Sequence, residues 1–419
     1  MEIKQLCDLV DNRKSELFDL LCNLIRINSE SFADYGNEED CARYIYQLCN
    51  ELDLDTEIYS PMEIEGFENH PDYLPGRSLE NRYNVTAVWK GIEDKNELTL
   101  MAHTDTVKIG NVENWTFPPL AGIIKDGKIY GRGACDDKYA LASVLFLIRI
   151  LKDAGFEPKA NLVFSAYSDE EYGGSHGALA AVLRYPCHRI VSMDGVEGQI
   201  WQCASGGQEI KYVYHTEKTV DSAKLTASAI PVVIQVLDKF AANRRKELEE
   251  NRFYAGTIVP ETSLRYMGIQ AGKQGMDLGV GEVSFVYYTD KEKNEIYNEL
   301  SVLENELSEK LAPMGIIGDG FKPLTRFFHY AFCEPDSDDI RTLLDSARET
   351  GGQIPLVCGS CLSDLSVISK YGSSEAYGFG MGRDFSVPGG AHQPDEYIEC
   401  EKLLEYTKVI GAYILKNLG

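Results

Sequence analysis

Short β-rich runs alternate with helical stretches over the first half of this chain, and this alternation constrains the fold more than any other feature. The predicted strands lie at 84–89, 97–101, 161–166 and 190–193. The predicted helices lie at 3–26, 38–52, 138–154 and 174–184. Strands connected through helices of this length favour a parallel sheet with helices on both faces. The sequence therefore predicts a three-layer α/β/α domain with a largely parallel sheet.

A different order of elements begins after residue 206. The elements predicted there are a strand, a helix, two strands, a helix and a strand, at 208–214, 227–251, 263–270, 281–288, 291–311 and 324–332. This β-α-β-β-α-β order is typical of a ferredoxin-like α+β domain. Helices at 336–350 and 399–416 then return to the α/β pattern. We therefore predict a catalytic domain in two parts, 1–206 and 330–419, with a lid domain inserted at 207–329.

Length and charge exclude several classes of protein. A chain of 419 residues exceeds one typical core, which favours two domains. Its 66 acidic and 41 basic residues give a net charge of −25, which repels nucleic acid and anionic lipid. Neither a nucleic acid nor a membrane is therefore an expected partner.

The cysteines and the apolar segments indicate a cytoplasmic protein. Eleven cysteines without regular spacing argue against a disulfide framework and favour a reducing compartment. The residues Met1–Lys4 introduce no long apolar segment, so no signal peptide is expected. The apolar stretch at 141–151 contains Arg149 and is too short to cross a bilayer.

Histidines and carboxylates follow the predicted strands directly. His103, Glu170, Glu171 and Asp194 each come at the end of such a strand. In open α/β sheets, ligand sites lie at the carboxyl ends of the strands. Two neighbouring divalent ions need about three ligands each, one shared carboxylate and a further carboxylate that handles protons. The sequence contains a candidate for each of these roles, which predicts a two-metal hydrolase.

The residue types suggest how the roles divide. His103 is predicted to bind a metal while Asp105 orients its imidazole, because metal-bound histidines usually donate their other N–H to a carboxylate. Asp136 precedes an apolar helix, where it could be a simple helix cap or a carboxylate that bridges two ions. Of the neighbouring glutamates, Glu170 is assigned as general base and Glu171 as metal ligand.

His392 lies far downstream in a loop rich in glycine and proline. A single loop histidine is more often structural than metal-binding. Its assignment as a ligand therefore depends on the other positions, including Asp194, which closes the predicted strand at 190–193.

Five segments, taken together, resemble a known family. They read "MAHTDTV", "YGRGACDDK", "SDEEYGGSHGA", "SMDG" and "GGAHQPDEYI" in chain order. Their order and approximate spacing resemble those of the dinuclear zinc exopeptidases, metallopeptidase family twenty. That family includes aminoacylase, carboxypeptidase G, succinyl-diaminopimelate desuccinylase, peptidase T and peptidase V. The resemblance spans nearly the whole chain, including the inserted lid domain.

The resemblance implies a specific ligand set and mechanism. The implied metal ligands are His103, Asp136, Glu171, Asp194 and His392. One ion would be held by His103 and Asp194 and the other by Glu171 and His392, with Asp136 as the bridge and a cis Asp136–Asp137 peptide. Asp105 would support His103, and Glu170 would act as general base while metal-bound hydroxide attacks an amide carbonyl. Two zinc ions are the expected cofactor, with manganese or cobalt as alternatives.

The residue at position 194 suggests the substrate. An aspartate there resembles peptidase T and peptidase V, which favours a di- or tripeptidase acting at a free amino terminus. Hydrolysis of N-acyl amino acids is the alternative within the family. A two-metal phosphoesterase and a degenerate homologue that only binds a ligand are alternatives from other classes. The family's usual assembly makes a homodimer through the lid domain an expectation.

Two features of the family pattern are missing. Many members carry a lid histidine that stabilises the oxyanion, but the corresponding stretch Thr219–Ala223 contains none, and His215 is only a weak substitute. Many members also bind the substrate carboxylate with an arginine at the end of a lid strand, which here ends Val286–Thr289. The candidate replacements are Arg265, Arg326 and Arg383.

Overall fold

The computed structural model describes residues 1–251, 263–272, 279–359 and 361–419. The chain forms two compact units, and the second lies within the sequence of the first. The first unit contains Met1–Gln202, Phe332–Cys358 and Val367–Gly419, and the second contains Cys203–Ala331 and Gly359–Ser366. The segment Gly359–Ser366 thus belongs to the second unit, although the sequence pattern placed it in the catalytic domain.

The helices and strands are as follows. The helices are α1 (Ile3–Asn12), α2 (Lys14–Arg26), α3 (Glu39–Glu51), α4 (Lys138–Asp153), α5 (His176–Arg184), α6 (Ser222–Glu250), α7 (Lys293–Leu311), α8 (Asp338–Thr350), α9 (Leu365–Val367) and α10 (Cys400–Leu418). The strands are β1 (Asp55–Tyr59), β2 (Asn84–Trp89), β3 (Glu93–His103), β4 (Ile123–Lys125), β5 (Lys128–Tyr130), β6 (Ala160–Tyr167), β7 (Arg189–Ser192), β8 (Gln199–Ala204), β9 (Gly206–His215), β10 (Leu264–Ala271), β11 (Val280–Thr289), β12 (Ile317–Pro323), β13 (Ala331–Phe332), β14 (Leu356–Gly359), β15 (Tyr377–Phe379) and β16 (Tyr397–Glu399).

The main sheet has the strand order β1-β2-β6-β3-β7-β15-β8-β13, with β14 paired to β8. Strands β6, β3, β7 and β15 pair in parallel at its centre. The β1–β2, β2–β6 and β15–β8 pairs are antiparallel. The α/β fold is confirmed, but the sheet is mixed rather than largely parallel, because the strand pairs on either side of its centre are antiparallel.

Burial on both faces of the sheet explains its apolar strands. All eight residues of β6 are buried, as is usual for a strand with a covered face on each side. Leu162, Phe164 and Ala166 join the main core, to which α4 and α10 contribute. Helix α5 packs on β2 and β6 with apolar residues that lie outside that core cluster, so it covers the other face.

One helix prediction needs correction. The segment at 3–26 forms two helices that are separated at Arg13, whose φ of −113° and ψ of 15° are not helical. Leu6, Val10 and Leu17 are all fully buried on either side of the break. The apolar residues keep their helical spacing across Arg13, so the sequence pattern does not show that the helix is interrupted there.

The second unit contains a four-stranded antiparallel sheet in the order β10-β11-β9-β12. Helix α6 packs on β10 and β11, and α7 packs on β12 and on α6. This arrangement confirms the ferredoxin-like prediction. The last strand, however, is Ile317–Pro323 rather than 324–332. It is an edge strand with two glycines and a bulge after Gly318, so its sequence lacks the apolar run that was expected of a strand.

Helix α6 is long and apolar enough to span a membrane if judged by length and composition alone. Its apolar residues Ala229, Val233, Val236, Leu237 and Phe240 lie in the core of the second unit. Length and composition therefore do not distinguish it from a core helix of a globular unit.

Candidate metal centre

The parallel strands bring three predicted site segments to one edge of the sheet. His103 ends β3 and is paired with Tyr167 at the end of β6. The turn that contains Glu170 and Glu171 follows β6 directly. Met101 is paired with Ser192 of β7, and Asp194 follows that strand. The sequence prediction that these segments share one edge agrees with this arrangement.

Asp136 reaches the same edge from the turn before α4. Its peptide bond to Asp137 is cis, as the family resemblance implies. The carboxylate of Asp137 accepts the main-chain N–H of His103 at 3.3 Å and is fully buried. Asp136 is therefore held next to the end of β3 by its neighbour.

The two carboxylate oxygens of Asp136 face different histidines. Oδ1 lies 3.1 Å from Nε2 of His103, and Oδ2 lies 3.1 Å from Nε2 of His392. Nε2 of His392 also lies 2.8 Å from Oε2 of Glu171. Ligand atoms about 2.0 Å from one tetrahedral ion are themselves about 3.3 Å apart, so this donor set fits a pair of cations that share Asp136.

The histidines differ in exposure. The side chain of His103 is 1% exposed, whereas that of His392 is 36% exposed. His103, Asp136 and Glu171 offer ligand atoms that lie within 4.8 Å of one another. A cation held with His103 would thus be buried, while one held with His392 would lie at the entrance of the centre.

The tautomer of His103 is suited to metal binding. Its Nδ1 lies 2.9 Å from the main-chain oxygen of Asp105, and a carbonyl oxygen can only accept a hydrogen bond. Nδ1 therefore carries a proton, so Nε2, which faces Asp136, is the nitrogen that would bind a metal ion once it is deprotonated.

The carboxylate of Asp105 does not make the contact that was predicted for it. Its Oδ1 is 3.7 Å from Nδ1 of His103, beyond hydrogen-bonding distance. Instead, the two carboxylate oxygens accept the main-chain N–H groups of Glu170 and Glu171, at 3.2 and 3.1 Å. Asp105 thus orients His103 through its main chain and the glutamate turn through its side chain.

The electrostatics of the cluster favour a cation. Burial disfavours the charged form of His392, but Glu171 and Asp136 outweigh it and raise its pKa to about 11. Burial also opposes ionisation of Asp136, yet hydrogen bonds from His103 and His392 hold its pKa below the ordinary value. Both histidines therefore lie in a strongly negative environment, which a divalent ion would neutralise.

Glu170 and Asp194 interact electrostatically with this group. Burial lowers the pKa of His103, but the hydrogen bond to Asp136 and the charges of Asp136, Asp137 and Glu170 raise it well above its usual value. The charge of Asp194 contributes to raising the pKa of Asp137, which burial raises first. The roles of Glu170 as general base and of Asp194 as metal ligand remain predictions.

A buried network that the sequence did not indicate holds the glutamate turn from behind. Asp169 precedes Glu170, and its carboxylate contacts Arg77, Arg82 at 2.6 Å and His176 at 2.6 Å. A Cβ atom at Gly174 would collide with the same carboxylate, so only glycine fits there. The two arginines come from the irregular segment between β1 and β2, whose sequence shows no periodicity that would reveal them.

A second unpredicted pair connects the His392 loop to the Asp136 turn. Arg132 Nη1 lies 2.5 Å from Oε2 of Glu396, and both side chains are buried. Glu396 Oε1 also accepts the main-chain N–H of Cys135, and Arg132 contacts the carbonyl oxygen of His392 at 3.4 Å. Both residues lie inside motifs that the sequence singled out, but their types alone gave no reason to pair them.

Three candidates for the missing lid residues, His215, Arg326 and Arg383, have partners within their own units. In the second unit, Nδ1 of His215 lies 2.9 Å from both carboxylate oxygens of Asp319. The guanidinium of Arg326 contacts the carbonyl oxygen of Phe327 and the hydroxyl of Ser366. In the first unit, the guanidinium of Arg383 lies 4.0 Å from the ring centroid of Tyr397. These contacts do not show whether His215, Arg326 or Arg383 binds a substrate.

Comparison with known families decides the classification. Residues 99–416 match the model of peptidase family M20/M25/M40, which is most of the chain. The chain belongs to this family. The predicted family and enzyme class are thereby confirmed, and this M20 protein is a metallopeptidase-type hydrolase.

The relatives of this M20 chain carry names from several activities. A probable succinyl-diaminopimelate desuccinylase of Staphylococcus aureus (strain MSSA476) is 27% identical over 441 residues, which cover 97% of this chain and 98% of that protein. Four other curated relatives, in contrast, match over only 21% to 41% of their own lengths.

Solved structures share the fold at low identity. The di-peptidase Dug1p from Saccharomyces cerevisiae superposes with a TM-score of 0.72 at 15% identity, covering 99% of this chain and 98% of that one. A dinuclear metal-binding M20 peptidase from Bacillus subtilis gives a TM-score of 0.61 at 15% identity, covering 97% and 99%.

Proposed function

We propose that this M20 protein is a metal-dependent exopeptidase that hydrolyses the amide bond of di- and tripeptides. The observation that carries the proposal is the bridging position of Asp136, whose two oxygens each lie 3.1 Å from a different histidine Nε2. His103 and Asp194 would hold one zinc ion, and Glu171 and His392 the other. Two bound ions would supply polarisation of the amide carbonyl and acidification of the attacking water.

The remaining chemistry belongs to side chains of this protein. Glu170 acts as general base, accepts a proton from the water and delivers it to the amine nitrogen as the C–N bond breaks. Asp105 holds the turn of Glu170 and Glu171 through two main-chain hydrogen bonds. Asp169 holds the same turn from its other side through Arg77 and Arg82.

Two observations support different substrates. The aspartate at position 194 resembles peptidases T and V, and the structural relative from yeast is named a di-peptidase. N-acyl amino acid hydrolysis is the second candidate, because a relative that matches over almost its full length is named a probable desuccinylase.

A substrate panel separates these candidates. The protein, loaded with zinc or manganese, is offered free dipeptides and tripeptides, their N-acetylated forms and N-acyl amino acids. We expect cleavage only of peptides with a free amino terminus. Cleavage of the acylated substrates alone would assign the deacylase activity instead, and cleavage of none would contradict both.

We further propose that the protein is cytoplasmic and forms a homodimer through its second unit. The eleven cysteines, all of which lie in the described residues, form no disulfide with one another, which supports a reducing compartment. Helix α7 exposes Val302, and the edge strand β10 exposes Met267 and Ile269. Light scattering should give a dimer mass that Val302→Lys or Met267→Lys reduces; a monomer in the unaltered protein would contradict this.

A further inference from the structure

A lysine lies at the rim of the candidate metal centre with its main chain held in place. The N–H of Val107 donates to Oε1 of Glu171 at 3.0 Å. The carbonyl oxygen of the next residue, Lys108, accepts a hydrogen bond from Nη2 of Arg132 at 3.2 Å. Lys108 is therefore anchored immediately beside a predicted metal ligand.

The side chain of Lys108 lies between aromatic rings from two segments. Its Nζ is 5.3 Å from the ring centroid of Phe32 and 5.9 Å from that of Tyr172, the residue after Glu171. The ring of Phe32 stacks on that of Tyr35 at 4.4 Å. Cations are attracted to the faces of aromatic rings, so these contacts hold the ammonium group near the glutamate turn.

The other cations around this edge of the sheet are engaged. Arg82 pairs with Glu38 and Asp169, and Arg132 pairs with Glu396. The buried ammonium group of Lys138 donates to the carbonyl oxygens of Leu24 and Ile27. These contacts are 3.0 and 2.7 Å long.

Lys108, in contrast, is exposed and forms no ion pair with any residue of the described ranges. An accessible ammonium group at the rim attracts an anionic substrate and can bind its carboxylate directly. The ring of Phe32 and that of Tyr172 would contact the methylene groups that carry such a carboxylate.

We propose that Lys108 binds a substrate carboxylate carried on a side chain or an acyl chain, in addition to any α-carboxylate, so that the enzyme prefers acidic substrates. The inference rests on the proposed function, because it places the substrate at the candidate centre. It assigns recognition to a residue of the first unit rather than to Arg265 or Arg326 of the second.

Matched substrate pairs test the proposal. The pairs are Glu-Ala with Gln-Ala, Ala-Glu with Ala-Gln, and N-succinyl-alanine with N-acetyl-alanine; they differ mainly by the extra carboxylate, and together they show which chain carries it. We expect the unaltered enzyme to favour the acidic member of at least one pair by about five- to tenfold in kcat/KM. Lys108→Gln should reduce the ratio of kcat/KM between the acidic and the neutral member to about one. Lys108→Arg, which keeps the positive charge, should retain the preference.

Lys125 provides a matched control. It is also an exposed lysine whose Nζ lies 5.3 Å from an aromatic centroid, that of Phe117, but it lies on the β4–β5 hairpin. Lys125→Gln should keep the charge preference. An equal loss in Lys125→Gln would show a general electrostatic effect and overturn the proposal, as would an unchanged ratio in Lys108→Gln. Loss of the ratio in Arg383→Gln alone would assign recognition to Arg383 instead.

Binding measurements separate this proposal from the proposed function. The same pairs are titrated calorimetrically into Glu170→Gln protein with and without Lys108→Gln. A charge preference in binding that depends on Lys108 supports the inference even if the unaltered enzyme hydrolyses none of these substrates. Hydrolysis without any charge preference overturns the inference and leaves the proposed function standing; equal binding or no binding of either member also overturns it.

Discussion

The carboxylate of Asp105 accepts the main-chain N–H of Glu171 at 3.1 Å, and this bond connects the end of β3 to the turn after β6. The same residue orients His103 through its main-chain oxygen, at 2.9 Å. One residue therefore positions a predicted ligand of each ion, but by different groups. A substitution of Asp105 therefore removes the two hydrogen bonds to the glutamate turn and keeps the main-chain contact to His103.

His392→Ala should reduce the metal content of the protein from two ions per chain to about one. Nε2 of His392 lies 2.8 Å from Oε2 of Glu171, so its removal leaves the entrance ion with only Glu171 and the bridging Asp136 as protein ligands. The content is measured by elemental analysis after dialysis. His188→Ala is the control, because His188 is an exposed histidine that pairs only loosely with Glu375, at 3.6 Å. Two ions in His392→Ala would remove this residue from the ligand set.

Asp105→Ala should weaken the ion at Glu171 and leave the one at His103 bound. Loss of such outer hydrogen bonds typically costs about 10- to 100-fold in metal affinity or activity. The measurement is a metal titration of Asp105→Ala in the unaltered background and in the His392→Ala background. The remaining ion of His392→Ala should keep its affinity when Asp105 is also replaced. A fall of tenfold or more there would show instead that the carboxylate supports His103.

Glu170→Gln should retain two ions and lose most turnover. A general base typically contributes about 100- to 10,000-fold to the rate, and the amide cannot accept the proton. Turnover is measured with the best substrate of the panel, alongside the metal content. Glu68→Gln, which alters an exposed glutamate in the segment between β1 and β2, is the control. A rate within a fewfold of the unaltered enzyme would assign the proton transfer to another group.

The sequence predicts the edge of the sheet where the site lies better than it predicts the contacts there. Parallel strands end at a common edge, so apolar runs that end before His103 and Asp194 locate both residues. Whether the carboxylate or the main-chain oxygen of Asp105 contacts His103 depends on side-chain rotamers, which a sequence pattern does not contain. The pairing of Arg82 with Asp169, 87 residues apart, likewise depends on an irregular segment without periodicity.

The network behind Asp169 gives a stability prediction. Arg82 Nη1 lies 2.8 Å from Oε1 of Glu38 and 2.6 Å from Oδ1 of Asp169, and all three side chains are fully buried. Burial raises the pKa of Glu38 well above its usual range, so this carboxylate is already costly to ionise. Arg82→Met leaves two buried carboxylates without that cation, and removal of one partner from a buried ion pair typically costs about 3–5 kcal/mol.

Arg82→Met should therefore lower the midpoint of denaturant unfolding of the first unit far more than Arg341→Met does. Arg341 is an exposed arginine in an i,i+3 pair with Asp338, and such pairs contribute less than about 1 kcal/mol. All three tryptophans, Trp89, Trp115 and Trp201, belong to the first unit, so their fluorescence follows the unfolding of that unit. Equal midpoints for the two variants would show that Arg77 and His176 are sufficient for Asp169 and that Glu38 is buried as a neutral acid.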